Sequence, residues 1–229
     1  MKHILSFILC ALVSLNLFAQ DDVTKFMGIP IDGFKNDMRR KIEAKGFQWN
    51  SIQECFEGEF NGTDVKLSLV TNNNKVYRIF LQDAVYRDEQ QIILRFNKLC
   101  SQFAKNKNYC SFPETDQTIP EDEDISYEMT VHKKRYEATF YQNLGEIDSL
   151  KALKMQQEMR SRYLNEFSED ELAAPTEEIQ QRLMRITLEY SFEILSQKTV
   201  WFVIDERYGK YGILMYYDNK KNEANGDDL

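Results

Sequence analysis

Apolar residues recur every three or four positions in two stretches of the N-terminal half, and this period predicts helices. The first stretch follows Gly33 and ends near Gly46, and its apolar positions are Phe34, Met38 and Ile42. The second stretch runs from about Asp88 to Lys105, and its apolar positions are Ile92, Phe96, Leu99 and Phe103. We expect both stripes to face a core, because amphipathic helices bury their apolar side.

Between these helices, alternating apolar and polar residues predict a three-strand antiparallel meander over residues 55–60, 65–71 and 76–81. Asn61-Gly62 separates the first two strands, and Asn72-Asn73-Asn74 separates the last two. Asn-Gly between alternating segments is the strongest short-range signal for a hairpin, because both residues tolerate positive φ.

The C-terminal half is predicted to contain two hairpins. Their four strands cover residues 125–131, 136–140, 199–205 and 210–217. Lys133-Lys134 is the expected turn of the first hairpin, and Tyr208-Gly209 is the expected turn of the second.

Residues 146–197 separate these hairpins and are predicted to form an inserted helical hairpin. One apolar stripe contains Met155, Met159, Tyr163 and Phe167, and the other contains Ile179, Leu183, Ile186, Tyr190 and Ile194. Ser168 with Glu171 is typical of a capping box, and Pro175 favours a new helix start.

These elements predict an α+β fold with antiparallel strands. We expect two helix-plus-meander units, over residues 20–110 and 111–229, with helices on one face and the insert interrupting the second unit. The two units are expected to form one compact domain.

The last hairpin is apolar on both of its faces. Val200, Phe202 and Ile204 are expected on one face, and Trp201, Val203, Leu214 and Tyr216 on the other. A solvent-facing strand surface would carry polar residues. The second face is therefore predicted to be covered by the insert or to be an open binding site for a partner.

The chain begins with a short basic segment, Met1-Lys2-His3, an apolar run from Ile4 to Phe18, and Ala19. An apolar run shorter than the ~20 residues of a spanning helix, closed by a small residue, is typical of a secretory signal peptide. We expect a leader over residues 1–19, with cleavage after Gln20 and an uncleaved anchor helix as alternatives. The mature chain is predicted to be exported, without a transmembrane span.

The composition is acidic, and one lysine leaves with the predicted leader, so the mature chain has 28 basic and 37 acidic residues and a net charge of −9. Binding to nucleic acid or to an anionic membrane is not expected, because both require a concentrated basic surface. The 13% aromatic content favours a well-filled core over disorder.

Three cysteines follow the leader, namely Cys55, Cys100 and Cys110. In an oxidising compartment Cys100 and Cys110 are predicted to be able to form a disulfide, because they would close a short loop. Cys55 is interpreted as a buried inert thiol, with a reactive or intermolecular thiol as the alternative.

No catalytic or metal-binding constellation is recognisable in the sequence. His132 is the single imidazole of the expected mature chain and lies beside Lys133-Lys134, which indicates a turn residue. Ser-His-Asp and Cys-His sets both need a placed imidazole, and zinc needs paired His or Cys-x-x-Cys spacing. Glycine spacing for a phosphate loop and the ligand pattern of an EF-hand are also missing. We therefore expect no cofactor, no metal and no identifiable catalytic residue.

Several segments nevertheless resemble a known group of proteins. These segments are Phe26 to Gly33, Lys45-Gly46-Phe47, Gly58 to Gly62, Tyr217-Asp218-Asn219 and Ala224 to Leu229. They are similar to secreted proteins of Bacteroides-type bacteria, whose fold resembles the tandem α+β modules of the β-lactamase-inhibitor-like proteins. The resemblance covers most of residues 24–229 except the insert.

The resemblance implies a protein of a Gram-negative envelope, located in the periplasm or at the cell surface, whose helices pack on one face of an antiparallel sheet. In the inhibitor the opposite face binds the partner, but no inhibitor contact residue is matched here, so β-lactamase inhibition is not predicted. Asp148-Ser149-Leu150 resembles the O-glycosylation acceptor motif of such envelopes, which makes Ser149 a candidate modification site.

The function expected from the sequence is therefore that of a non-enzymatic module that binds an unknown protein or envelope component. The alternative is a glycan-active hydrolase with an acidic pair that sequence does not identify.

Overall fold

A computed structural model of the chain describes residues 22–113, 115–144, 149–224 and 226. In these residues it contains six α-helices and an antiparallel eight-stranded sheet, which confirms the predicted mixed α+β class. The predicted leader lies outside the described residues. Among the described residues, no helix combines the length and apolar character that crossing a membrane requires.

Ten strands are present in the described residues. They are β1 (Lys25–Phe26), β2 (Ile29–Pro30), β3 (Gln48–Asn50), β4 (Cys55–Phe60), β5 (Thr63–Asn72), β6 (Lys75–Asp83), β7 (Tyr109–Cys110), β8 (Glu137–Gln142), β9 (Thr199–Arg207) and β10 (Lys210–Asp218). β1 and β2 pair with each other, and the large sheet has the order β3-β4-β5-β6-β10-β9-β8-β7. Strands from both halves of the chain thus join one sheet, and β6 pairs with β10 at its centre.

The predicted turns explain the register of the first meander. Asn61 and Gly62 have φ of 54° and 72°, as a two-residue hairpin turn requires, and Asn73 and Asn74 also have positive φ. β4 begins and ends where the alternation predicts, while β5 and β6 extend a few residues further.

The helices are α1 (Lys35–Glu43), α2 (Glu89–Lys105), α3 (Ile125–Val131), α4 (Ser149–Glu166), α5 (Glu169–Ala173) and α6 (Glu177–Ser196). α1 ends at Glu43, and Gly46 follows three residues later with a φ of 96°, which suits the exit of the chain from a helix. Asp88 caps α2, because its side chain accepts a hydrogen bond from the backbone N–H of Gln91.

The core lies between α1, α2 and one face of the sheet, which we call the inner face. A row of opposed side chains crosses seven strands of this face, and it consists of Trp49, Phe56, Leu67, Leu81, Met215, Phe202 and Ala138. All of them except Trp49 are buried. Phe96 of α2 contacts Phe202 with ring centroids 5.1 Å apart, so the predicted stripe of α2 does face the core.

The segment Ile125–Val131 forms helix α3, so the strand predicted there is wrong. Asp124 caps the segment by accepting a hydrogen bond from the backbone N–H of Tyr127. Ile125 is buried while Tyr127 and Val131 are exposed, so the alternating residues do not share one buried face. Ile125 and Met129 are four residues apart and also fit a helical period.

The predicted helical insert is present as α4, α5 and α6, which we call the arm; residues 145–148 at its start lie outside the described residues. α4 and α6 run antiparallel, because Tyr163 contacts Thr187 at 2.6 Å and the Tyr190 hydroxyl donates to Glu158 at 2.8 Å. The predicted capping box of Ser168 starts α5. The arm therefore has an interior of its own.

A buried carboxylate, Asp83, connects the end of β6 to its surroundings. Its side chain is 2% exposed and accepts hydrogen bonds from Arg95 at 2.6 and 2.7 Å and from Arg87 at 3.0 Å. It also accepts a bond at 3.3 Å from the backbone N–H of Ile213 in β10. Asp83 thus connects α2 to both central strands.

Replacing Asp83 by Asn should lower the free energy of unfolding by about 3 kcal/mol, because it leaves buried arginine charge without its counter-ion. Urea unfolding measures the change, and Asp64→Asn at an exposed position of β5 is the matched control. Equal stability of the two variants would contradict this role of Asp83.

Candidate functional site

The face of the sheet opposite α1 and α2, which we call the outer face, carries a row of aromatic side chains. The strand register places Tyr216 of β10 directly opposite Phe80 of β6 and Trp201 of β9. The rings of Trp201 and Tyr216 are stacked, with centroids 4.0 Å apart and planes inclined by 13°. Phe80 lies 5.0 Å from Tyr216. We call these three residues the aromatic row.

Arginines lie over both sides of this row. The guanidinium carbon of Arg78 lies 5.2 Å from the Tyr216 ring centre, and that of Arg135 lies 5.6 Å from the Trp201 ring centre. Each contact is within the range of a cation–π interaction. The row and its arginines therefore form one layered stack across β6, β10 and β9, with Arg135 at its β8 side.

Asp218 fixes this stack at the end of β10. Its carboxylate accepts hydrogen bonds from Arg78 at 2.5 and 2.9 Å and from the Trp201 indole N–H at 3.0 Å. The hydrogen bond to Asp218 raises the pKa of Arg78, so the guanidinium group stays protonated. The orientation of Trp201 is thus set by a hydrogen bond as well as by stacking.

The four residues predicted as an interface, Trp201, Val203, Leu214 and Tyr216, lie together on the outer face. Leu214 is paired with Val203, one step along the strands from the Tyr216–Trp201 pair. Val203 is 8% exposed, while the other three are half-buried. Trp201, Leu214 and Tyr216 thus contribute neighbouring aromatic and aliphatic surface, to which the buried Val203 adds little.

Tyr86 borders this surface on the side away from Asp218. Its ring lies over Gly212, where a Cβ atom would approach the ring to 2.9 Å, so glycine permits this contact. The Tyr86 hydroxyl donates to Asp205 at 2.5 Å. Burial, together with that bond, raises the pKa of Tyr86, so the ring stays neutral at ordinary pH.

The arm lies beside the outer face at β8. Phe192 of α6 contacts Tyr141 of β8, with ring centroids 5.9 Å apart. Between α6 and the sheet is a cleft of about 300 Å³, and its lining includes Phe192, Tyr141, Trp201, Arg135, Asp218 and Lys220. Phe192 does not belong to the predicted apolar stripe of α6. Two residues of that stripe, Ile186 and Tyr190, are buried, and Tyr190 contacts α4 within the arm.

The charged side chains of the cleft form ion pairs within this chain. Its two carboxylates, Glu137 and Asp218, each accept from an arginine, and the Arg135–Glu137 distance is 2.8 Å. His132 lies at the end of α3 and is hydrogen-bonded to Glu128 at 2.9 Å, outside the cleft lining. Within the described parts of the chain, no three His, Cys, Asp or Glu side chains are grouped to hold a metal ion.

The three cysteines are free thiols in the structure. The sulfur of Cys100 faces the carbonyl of Gln117 at 3.6 Å, whereas that of Cys110 faces the carbonyl of Tyr141 at 3.8 Å. The predicted disulfide is therefore not formed here. Cys55 is buried, and burial is the main cause of its raised pKa.

Ser149, the candidate modification site, is exposed at the first residue of α4. Asp148, which precedes it in the proposed acceptor motif, lies outside the described residues. Modification of Ser149 stays a prediction.

The surface also contains residues that no local sequence pattern indicated, namely Phe80, Arg78, Arg135, Asp218 and Phe192. Alternation within β6 places Phe80 and Arg78 on one face, but their position beside Tyr216 depends on the pairing of β6 with β10. That pairing joins residues 140 positions apart, as in the Arg78–Asp218 ion pair.

Comparison of the chain with protein-family models, with curated proteins and with solved structures found no match in any of the three.

The structure predicts different reactivities for the cysteines. Burial raises the pKa of Cys100 to about 12, so at pH near 9.0 it carries little thiolate, which is the reactive form. Because the folded protein favours the neutral thiol, the contribution of Cys100 to the free energy of unfolding is complete below pH 9.0. This contribution is lost as the pH rises towards 12 and the thiol ionises. Alkylation followed by mass mapping should label Cys110 first and Cys100 only on unfolding.

Two results of that mapping would contradict the structure. One is a peptide cross-linked through Cys100 and Cys110 in protein isolated without reductant. The other is equal labelling rates of these two cysteines in the folded protein.

Proposed function

We propose that the chain is an exported, non-enzymatic binding module whose outer face recognises a protein partner in the bacterial envelope. The observation that carries this proposal is the aromatic row, flanked by Arg78 and Arg135 and left partly exposed on the outer face. Tyr, Trp and Arg dominate the binding energy of protein interfaces. Export is supported by the leader pattern of residues 1–19.

The orientation of the rings favours a protein partner over a glycan. Trp201 and Tyr216 stack on each other, and Phe80 and Arg135 lie on the two outer sides of that pair. A sugar ring that packs on an aromatic residue needs a free ring face, and here those faces are occupied by neighbours. The edges of the rings, with Leu214 and Val203 beside them, suit aliphatic and aromatic side chains of a protein.

The arrangement of the sheet supports the likeness to tandem α+β modules. The strand order is β3-β4-β5-β6 followed by β10-β9-β8-β7, so the last strand of each half meets its counterpart at the centre. A helix precedes each four-strand set along the chain: α1 comes before β3 to β6, and α2 comes before β7 to β10. We therefore interpret the fold as two helix-plus-meander units that leave their common outer face for recognition.

Capture experiments test the role of the aromatic row. Immobilised mature protein should retain a protein from native envelope extract, and Trp201→Ala or Tyr216→Ala should lower the amount retained at least about tenfold, as for an interface hot spot. Tyr208→Asn is the matched control, because it removes a fully exposed ring from the β9–β10 turn and suits the positive φ there.

Treatment of the extract separates the two ligand classes. Protease should abolish retention, while periodate, which destroys glycans, should leave it intact. Retention that survives protease but not periodate would support the glycan alternative, and equal retention by all three variants would overturn the role of the row.

A further inference from the structure

The segment 22–26, which we call the strap, crosses the root of the arm. Val23 and Thr24 are 2% and 0% exposed, so the strap is part of the folded core. The backbone N–H of Lys25 donates to the side-chain oxygen of Gln142 at 2.7 Å, and the Gln142 amide donates back to the carbonyl of Lys25 at 2.6 Å. Gln142 is the last residue of β8, so the strap is bound where the chain leaves the sheet for the arm.

One carboxylate of the strap binds both stems of the arm. Lys198, which is buried immediately before β9, donates to Oδ1 of Asp22 at 2.6 Å and to the carbonyl of Asn143 at 2.7 Å. Lys151 in the first turn of α4 donates to Oδ2 of Asp22 at 2.9 Å. Asn143 and Lys151 belong to the stem that enters the arm, and Lys198 belongs to the stem that leaves it. Asp22 therefore ties the two stems to each other and to the sheet.

The rest of the arm is built as a body of its own. Its two long helices are joined by the ion pair of Arg162 with Glu193 at 2.8 Å, in addition to the contacts of Tyr163 and Tyr190 described above. Its ring contacts with the body come from Phe192, which lies 5.9 Å from Tyr141 and 6.1 Å from Phe112 between ring centroids. An element that keeps its own interior and is held at one end can rotate about that end.

The strap also contacts the candidate site. The Thr24 hydroxyl donates to the backbone carbonyl of Asp218, whose carboxylate accepts the indole N–H of Trp201 at 3.0 Å. These two residues line the cleft on the sheet side, and Phe192 lines it on the arm side. The strap therefore bonds to the floor of the cleft through Thr24 and to the arm wall of the cleft through Asp22.

We propose that the strap is a conformational latch. Asp22 holds the arm beside the outer face, and its release lets the arm swing about its root and open the cleft. A buried ammonium without its counter-ion is costly, so Lys198 moves into water when Asp22 leaves, and the root opens as one unit. The latch acts within one chain and needs no envelope partner, so it stands apart from the proposed function.

The length of the arm makes this motion measurable. Helix α4 has 18 residues and is therefore about 27 Å long. A rotation of about 15° at its root, which is typical of a rigid-body switch, moves its far end by roughly 7 Å.

Distances between spin labels test the latch directly. Asp170→Cys on α5 and Lys210→Cys on β10 place the labels at exposed positions, in a chain whose native cysteines are replaced by alanine. Asp22→Asn should broaden the distance distribution and move its mean by about 7 Å, because both lysines lose their shared counter-ion. The matched control, Asp64→Asn on β5, should keep the distribution of the parent chain.

A second variant separates release of the arm from loss of the fold. The Lys151 side chain is 34% exposed, so Lys151→Met breaks the bond to α4 without leaving a buried charge unpaired. It should broaden the distribution less than Asp22→Asn, with an unchanged circular dichroism spectrum, and it decides the question if Asp22→Asn does not fold. Parent-like distributions in the folded variants would overturn the latch, and so would an equal change in Asp64→Asn.

Discussion

The pairing of β6 with β10 is the interaction on which the rest of the structure depends. It joins the two halves of the chain into one sheet, and an aspartate–arginine cluster lies at each end of it. At one end Asp83 binds Arg87 and Arg95, and at the other Asp218 binds Arg78. Charged hydrogen bonds of this kind are directional, so they specify register as well as add stability.

This register determines what each face presents. On the inner face it aligns the buried row from Phe56 to Ala138, on which α1 and α2 pack. On the outer face the same register aligns Phe80 with Tyr216 and Trp201. The arm is inserted between β8 and β9, so it emerges beside the outer face and contributes Phe192 to the rim of the cleft. The candidate interaction surface is therefore a consequence of strand pairing and of the position of the insert.

Local signals in the sequence were enough to predict most elements but not their partners. The Asn61-Gly62 turn, the stripe of α2 and the capping box of Ser168 act within a few residues, and each is present as expected. The failure at Ile125–Val131 has a local cause as well, because alternation there also fits a helix and the Asp124 cap favours the helix. The apolar residues on both faces of the last hairpin predicted that its second face is covered or binds a partner. Arg78 and Phe80 join that face only because β6 pairs with β10, and a pairing between distant segments is not visible in local sequence.

We propose that a protein partner contacts the outer face and does not contact the side that α1 and α2 cover. Site-specific photo-cross-linking in the native envelope tests this most directly, with a benzophenone side chain placed at Thr139, which lies beside Trp201 in the cleft. The control position is Lys98, which is exposed on α2. We expect one light-dependent, protease-sensitive adduct from Thr139 and none from Lys98. An adduct from Lys98 alone, or equal adducts from both positions, would contradict it.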